Sequence, residues 1–366
     1  MGIALLILAI LVLAALVLYL EASGRFLPKS PPVTPIRVTA DPTGLAEVEA
    51  FLQEEFHDSP ARMRASGART RDLLAEKRRM FDAMGERDFD ATFLSVGGTS
   101  APDAPVPGEW TTVEHSDPAL RLLYLHGGGF TVGSAKSHRA VTSALARELG
   151  ASVFAPDYRL RPEHAHLDAV ADAATAYRYI LDNGPSGPAP ARTLFLAGDS
   201  AGGNLALVTL QRARDRNWRM ADACAVWSPS TDYTLTGKSL RTNFATDTML
   251  RPLFSLFIKV PRPLLTYGIW KMNRARPSDP RVSPLFGDLK HLPPTLIQVS
   301  PTEILLDDAT RYAARAYTAG SPVTLEVWEG APAESPLPHV WHIFQQLPAA
   351  RDAVRRTAEF LKAHVQ

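Results

Sequence analysis

The run Gly198-Asp199-Ser200-Ala201-Gly202-Gly203 constrains this chain more than any other feature. It follows the apolar stretch Leu194-Phe195-Leu196-Ala197 and leads into Asn204-Leu205-Ala206-Leu207-Val208-Thr209-Leu210. That order reads as strand, sharp turn and helix, with a serine at the apex. So tight a turn crowds its own backbone, and only Gly or Ala two positions either side of Ser200 lets it close and hold Ser200 Oγ out into a cleft. The helix that follows points its N-terminal N–H groups at the same cleft, where they favour developing negative charge.

Upstream lies a second strand-and-turn, Leu122-Leu123-Tyr124-Leu125-His126-Gly127-Gly128-Gly129-Phe130. Three consecutive glycines let main-chain N–H groups approach a substrate without Cβ interference, which is what an oxyanion hole requires. A glycine loop followed downstream by a serine elbow is the order used by lipases and esterases. A hydroxyl near neutral pH is a weak nucleophile, so Ser200 needs a base and the base an orienting acid. In this arrangement the chain order is Ser, acid, His. His291, His339, His342 and His364 are the histidines after Ser200, and Glu303, Asp307 and Asp308 are the carboxylates after the expected strand Thr295–Val299.

HGGGF, the run Asp157-Tyr158-Arg159-Leu160-Arg161-Pro162-Glu163-His164, and GDSAGG together resemble the hormone-sensitive-lipase-like family of α/β-hydrolase esterases. The resemblance continues through Asp279–Gly287, Leu292–Thr295 and Glu303–Asp308, and covers about residues 105–360. It implies hydrolysis of short-to-medium-chain acyl esters or lipid-derived esters, without metal or organic cofactor. It implies Ser200 as nucleophile, His339 as base and Glu303 as acid, with Asp307 and Asp308 at a helix start where carboxylates meet the helix dipole. It implies an oxyanion hole from the N–H groups of Gly128, Gly129 and Ala201. His126 then locks the glycine loop, His342 packs beneath the site, and the Asp157–His164 run buttresses it. Asp199, beside the serine, is excluded as the acid because its side chain points the other way. The stretch Glu329–Pro338 is longer than the family's and either shifts the base or adds a wall. An amidase or lactonase on the same site, or a ligand-binding receptor of the same fold, are the alternatives; the retained His339 argues against the receptor.

Elsewhere strands and helices alternate from Trp110 onward, which argues a mostly parallel sheet covered on both faces, here an α/β-hydrolase fold. Residues 41–366 form the expected catalytic domain, with helical cap segments at about 41–100 and 230–285. The second segment carries Leu253, Phe254, Leu256, Phe257, Tyr267 and Trp270, and is read as lining an acyl pocket. Lys+Arg and Asp+Glu nearly balance at 39 and 38, so nothing points to nucleic acid. The single cysteine, Cys224, excludes an internal disulfide and a thiolate cluster.

Ile3 through Leu20 is uninterrupted apolar sequence. At ~1.5 Å per residue it spans roughly 27 Å, near the bilayer core. This gives the expectation of an N-terminal transmembrane anchor over 1–24 and a single-pass membrane localisation. A signal peptide cleaved near Ala22-Ser23-Gly24 is the competing reading, but the n-region lacks Lys or Arg. Arg25, Lys29 and Arg37 would place the catalytic domain on the cytoplasmic side. Residues 25–40, with Pro28, Pro31, Pro32 and Pro35, read as an extended linker.

Overall fold

The computed structural model describes residues 31–365 except 40, 55–57, 66, 68, 98–105, 256–258 and 332–335. Among these residues nine strands form one sheet: β1 (Val33–Thr39), β2 (Thr92–Val96), β3 (Gly108–Thr112), β4 (Asp117–Leu125), β5 (Ala151–Pro156), β6 (Thr193–Asp199), β7 (Ala223–Trp227), β8 (Thr295–Val299) and β9 (Val323–Ala331). Their spatial order is β1-β9-β8-β7-β6-β4-β5-β3-β2. The β2–β3 and β3–β5 pairs are antiparallel and the others parallel.

The helices that matter for the site and core are α1 (Pro42–Gln53), α2 (Thr70–Ala83), α3 (Arg139–Leu149), α4 (His166–Asp182), α5 (Ser200–Asp215), α6 (Arg262–Asn273), α7 (Leu306–Thr318) and α8 (Pro348–Lys362). The central strands are apolar throughout because both faces are covered. Alternate residues go to opposite cores. Leu123, Leu125, Leu196, Val226 and Ile297 pack against α4, α5 and α7, while Leu122, Tyr124, Phe195, Trp227 and Leu296 pack against α3 and α8. Cys224 is a buried part of the first core.

Two expectations are corrected. The stretch read as a linker supplies an edge strand: Val33–Thr39 pairs in parallel with β9, Val38 opposite Gly330. Pro35 is tolerated because an edge strand need not donate on both sides, and Val38 is buried in the cluster of Trp328 and Trp341. The sheet therefore begins well before Trp110, and Thr92–Val96, placed in the cap from sequence, is its other edge.

The second correction concerns the membrane. Residues 1–24 lie outside the described residues, and no helix among the described ones is long and apolar enough to cross a membrane. α4, with 17 residues, carries Asp168, Asp172 and Arg178. The transmembrane helix expected over 1–24, and with it the single-pass localisation and the membrane as partner, is therefore carried by no described helix.

The long stretch before His339 also finds a use, since its first residues extend β9 to Ala331 along β1.

Candidate active site

The parallel strands deliver their carboxyl ends to one side of the sheet, where ligands bind in open α/β folds. β4 and β6 are neighbours, with Leu125 opposite Gly198, so the glycine loop and the serine elbow emerge side by side. β7 leads into Ser228, β8 leads to Glu303, and β9 precedes the turn carrying His339.

Ser200 sits at φ 51, a left-handed conformation that holds its side chain clear of β6. The turn closes only because Gly202 has no side chain: a Cβ there would lie 1.9 Å from the Leu125 carbonyl oxygen and 2.5 Å from that of His126. The elbow thus packs directly on the strand that launches the glycine loop.

Three sequence-expected residues come together. Ser200 Oγ lies 2.9 Å from His339 Nε2, and His339 Nδ1 lies 2.5 Å from Glu303 Oε2. A carboxylate only accepts, so Nδ1 donates to Glu303 and Nε2 is left to accept from Ser200. Glu303 Oε1 accepts from Ser300 N–H at 2.7 Å and from Ser228 Oγ at 2.9 Å, which fixes the carboxylate. His339 and Glu303 are both buried. Burial by itself would depress the His339 pKa. The hydrogen bond and charge of Glu303, with Asp247 and Asp199 adding, reverse this and hold it above the ordinary value.

On the other side of Ser200, Gly128 stands at φ 107 and Gly129 at φ 60. Among the described residues no acceptor meets the N–H of Gly128 or Gly129. Ala201 lies in the first turn of α5, where N–H groups lack intrahelical acceptors. Asp199 tethers the loop to the elbow. Its Oδ1 accepts from Tyr124 Oη at 2.7 Å and Gly127 N–H at 2.9 Å. Burial opposes its ionisation, but His138 and the Tyr124 hydroxyl outweigh that and hold the carboxyl below its usual range. His126 Nδ1 lies 2.8 Å from the Gly127 oxygen, and its ring stacks on Tyr158 at 4.2 Å. Burial, then neighbouring His138, lowers its pKa to about 3, so the ring stays neutral.

The remaining candidates fall elsewhere. His342 stacks on Trp227 at 4.5 Å and reaches Gln298 Oε1 at 3.1 Å, inside the core. His291 is exposed, and His364 Nδ1 contacts the Phe360 oxygen at 2.8 Å near the end of the chain. Asp307 and Asp308 do open α7, but both carboxylates hold backbone across from it. Asp307 Oδ2 accepts from the N–H of Lys238 and Ser239. Asp308 Oδ2 accepts from Thr231 N–H at 2.6 Å and Asp232 N–H at 2.8 Å.

Sequence reasoning missed Ser228 and Asp247. Ser228 has φ 46 at the end of β7, and no local pattern marks it. Asp247 is buried, accepting from Leu250 and Ile304 N–H at 2.8 Å each. Burial raises its pKa, opposed by His339. Its position in the cap segment, far in sequence from the site, hid it.

Ser200 opens on a cavity of about 330 Å³ walled by Gly128, His339, Met249, Leu250, Leu253 and Phe254 among others. α2 contributes Phe81 to the same wall. The expected acyl lining is therefore present in part: Leu253 and Phe254 face the cavity, Tyr267 and Trp270 are exposed on α6, and 256–258 lie outside the described residues.

A family model described as the alpha/beta hydrolase fold matches residues 122–336. An acetyl-hydrolase of Streptomyces hygroscopicus is 38% identical over 284 residues, spanning 75% of this chain and 87% of its own length. An esterase of Acinetobacter venetianus is 35% identical over 263 residues, spanning 70% and 79%. A solved esterase from the bacterial hormone-sensitive lipase family superposes with a TM-score of 0.72 at 31% identity, over 90% of this chain and 100% of that one. The chain therefore belongs to the hormone-sensitive-lipase-like family of α/β-hydrolase esterases and is a carboxylic-ester hydrolase of that kind.

Proposed function

We propose that the ester is cleaved by a Ser200–His339–Glu303 relay through an acyl-enzyme, and that the natural acyl groups are short to medium in length. Ser200 Oγ attacks the carbonyl carbon while His339 Nε2 takes its proton. The oxygen, now negative, is held by the N–H groups of Gly128, Gly129 and Ala201. His339 then gives the proton to the leaving alcohol, and water repeats the sequence in reverse to free the acid. Glu303 keeps the proton on Nδ1 and stabilises the imidazolium.

The observation that carries this reading is the pair of contacts at 2.9 and 2.5 Å through His339, opening onto a cavity beside a glycine loop with free N–H groups. A cavity of about 330 Å³ lies near the small end for ligand pockets and suits short acyl chains. A pure receptor would have no use for a base aligned on the serine. Amide or lactone cleavage would use the same groups and is separated by assay.

A fluorophosphonate probe should label Ser200 in the wild type and not in Ser200→Ala. The variant should fold normally, since the hydroxyl makes one contact, and lose nearly all turnover of p-nitrophenyl esters. Across the acyl series, kcat/KM should peak at short-to-medium chains and fall for long ones. Anilide or lactone turnover above that of matched esters would move the assignment to amidase or lactonase. Retained ester turnover in Ser200→Ala would remove the serine mechanism.

A further inference from the structure

We propose that Arg161 makes this cavity selective for esters bearing a carboxylate on the acyl or the alcohol side, a few bonds from the reacting carbonyl. The inference rests on the reading of Ser200 as the nucleophile of this cavity. Arg161 belongs to the run expected to be purely structural, and most of that run is. Asp157 accepts from Ala135 N–H at 2.7 Å, Tyr158 donates to the His126 oxygen at 2.7 Å, and Arg159 pairs with Asp172 at 2.7 Å. Arg161 differs, because it lines the cavity with Gly128, Gly129 and Ser200.

Its charge is not neutralised. Arg161 is 8% exposed, and among the described residues no carboxylate lies within ion-pair distance. Its two hydrogen-bonding partners are neutral oxygens: Gly129 O at 2.7 Å from Nη2 and Asn273 Oδ1 at 2.9 Å from Nη1. Phe130 offers a ring face at 5.3 Å. The guanidinium carries five N–H groups. Nε has no acceptor, nor does the buried Nδ2 of Asn273 beside it. Burial lowers the Arg161 pKa, as befits a cation stripped of water without an anion.

The acidic side chains of the same wall are already engaged. Asp232 is ion-paired with Arg311 at 2.7 Å. Asp308 accepts two backbone N–H groups, and burial with the charge of Asp232 pushes its carboxyl up to about 7. Asp199 is held by Tyr124 and Gly127.

Buried arginine without a carboxylate at ion-pair distance also occurs at Arg121, but there Nε donates to the Pro118 oxygen at 2.8 Å and the side chain is not part of the Ser200 cavity wall. At Arg161 the uncompensated cation faces the space where substrate binds. It touches the loop that would hold the oxyanion. A planar, forked guanidinium with donors to spare is the side chain suited to a carboxylate.

The test compares matched esters on wild type, Arg161→Met and Arg161→Lys. The acyl arm is p-nitrophenyl butyrate against p-nitrophenyl hemisuccinate, and the alcohol arm is phenyl acetate against 3-acetoxybenzoate. Wild type should show the higher kcat/KM on the carboxylate member of at least one arm, which also identifies the side. Arg161→Met should lower that carboxylate-to-neutral ratio by about tenfold or more, because a group built to bind the anion is lost. Arg161→Lys should keep part of the preference. Loss of the bond to Gly129 O would slow both members together, so only the ratio reads the charge. Preference of the wild type for the neutral member in both arms overturns the proposal without any variant. An unchanged ratio in a folded Arg161→Met overturns it too and leaves Arg161 as a prop of the glycine loop. Failure of the wild type to turn over even the neutral esters, or to label with fluorophosphonate, would instead count against the nucleophile reading.

Discussion

Replacing Glu303 by Gln probes the relay where hydrogen-bond accounting fixes the outcome. Glu303 Oε1 accepts from Ser300 N–H and Ser228 Oγ, and Oε2 faces His339 Nδ1. The Ser300 N–H is main chain and can only donate. The oxygen of an introduced carboxamide is therefore held at the Oε1 position, and its NH2 faces the imidazole. An NH2 group only donates, so Nδ1 must become the acceptor and the ring proton moves to Nε2. Ser200 Oγ then meets an N–H where it needs a lone pair. Comparable carboxylate-to-carboxamide changes cost about 10⁴ in kcat, or about 5.4 kcal/mol of transition-state stabilisation. The side chain keeps its shape and both of its donors, so the fold should persist. Steady-state kcat on p-nitrophenyl butyrate, with thermal unfolding on the same samples, measures both. A folded Glu303→Gln that keeps more than about a tenth of wild-type kcat refutes the reasoning. So does an Asp247→Asn variant that is folded and inactive while Glu303→Gln is active, since Asp247 is the other carboxylate acting on His339.

Four further outcomes are expected. The acid limb of kcat/KM should lie above the ordinary imidazole value of 6.5, because Glu303 outweighs burial at His339 and the base must be neutral to act; a limb below that value contradicts the electrostatics. By the same shift, His339 stabilises the fold fully below its unfolded pKa and loses that contribution as pH rises through the higher folded value, which urea unfolding across the range should detect. Asp308→Ala should cost about 2–5 kcal/mol in urea unfolding, because two buried N–H groups lose their acceptor; a change within about 0.3–1 kcal/mol would mean the residue serves only the helix dipole. A chain beginning at residue 41 should lose the β1–β9 ladder and unfold at lower temperature or aggregate through the bared β9 edge, whereas one beginning at residue 31 should not; equal melting temperatures would make β1 dispensable.

The parts of the molecule legible in sequence are those whose physics is local. The elbow could be read because a tight turn demands small residues within two positions of Ser200, and Gly202 meets that demand against the Leu125 carbonyl. The alternation of apolar strands and helices could be read because each strand is buried on both faces. β1 could not. Four prolines near it suggest a spacer, and the ladder that supports it runs to β9, nearly the whole chain away. The reach of β9 past Trp328 was visible as extra length before His339, but its cause lay in the same distant strand. Ser228, Asp247 and Asp232 were illegible for a related reason. Each acts on a group far from it in sequence, and a lone Ser or Asp in a cap or at a strand end carries no periodicity. Arg161 stands in a run whose neighbours are engaged in the scaffold, and nothing in sequence tells a paired arginine from an unpaired one.

Asp199 joins these observations. Its side chain points away from the nucleophile, which excludes it as the acid, yet it is among the most constrained carboxylates in the site. One oxygen accepts from Gly127 in the glycine loop and from Tyr124 in β4, while its own backbone leads into Ser200. The loop and the elbow are thus fixed to each other by a charge-assisted bond beneath the cavity floor, as well as by the Gly202 contact with Leu125. An oxyanion hole stabilises its charge only if its donors are placed before the charge appears. Two of the proposed donors, Gly128 and Gly129, come from the loop, and the third, Ala201, comes from the elbow. Their mutual position is therefore set by the very contacts that hold β4 and β6 together at their carboxyl ends. In this chain the site and the core of the sheet are one packing problem, and that is why the residues most visible in sequence are the ones that close it.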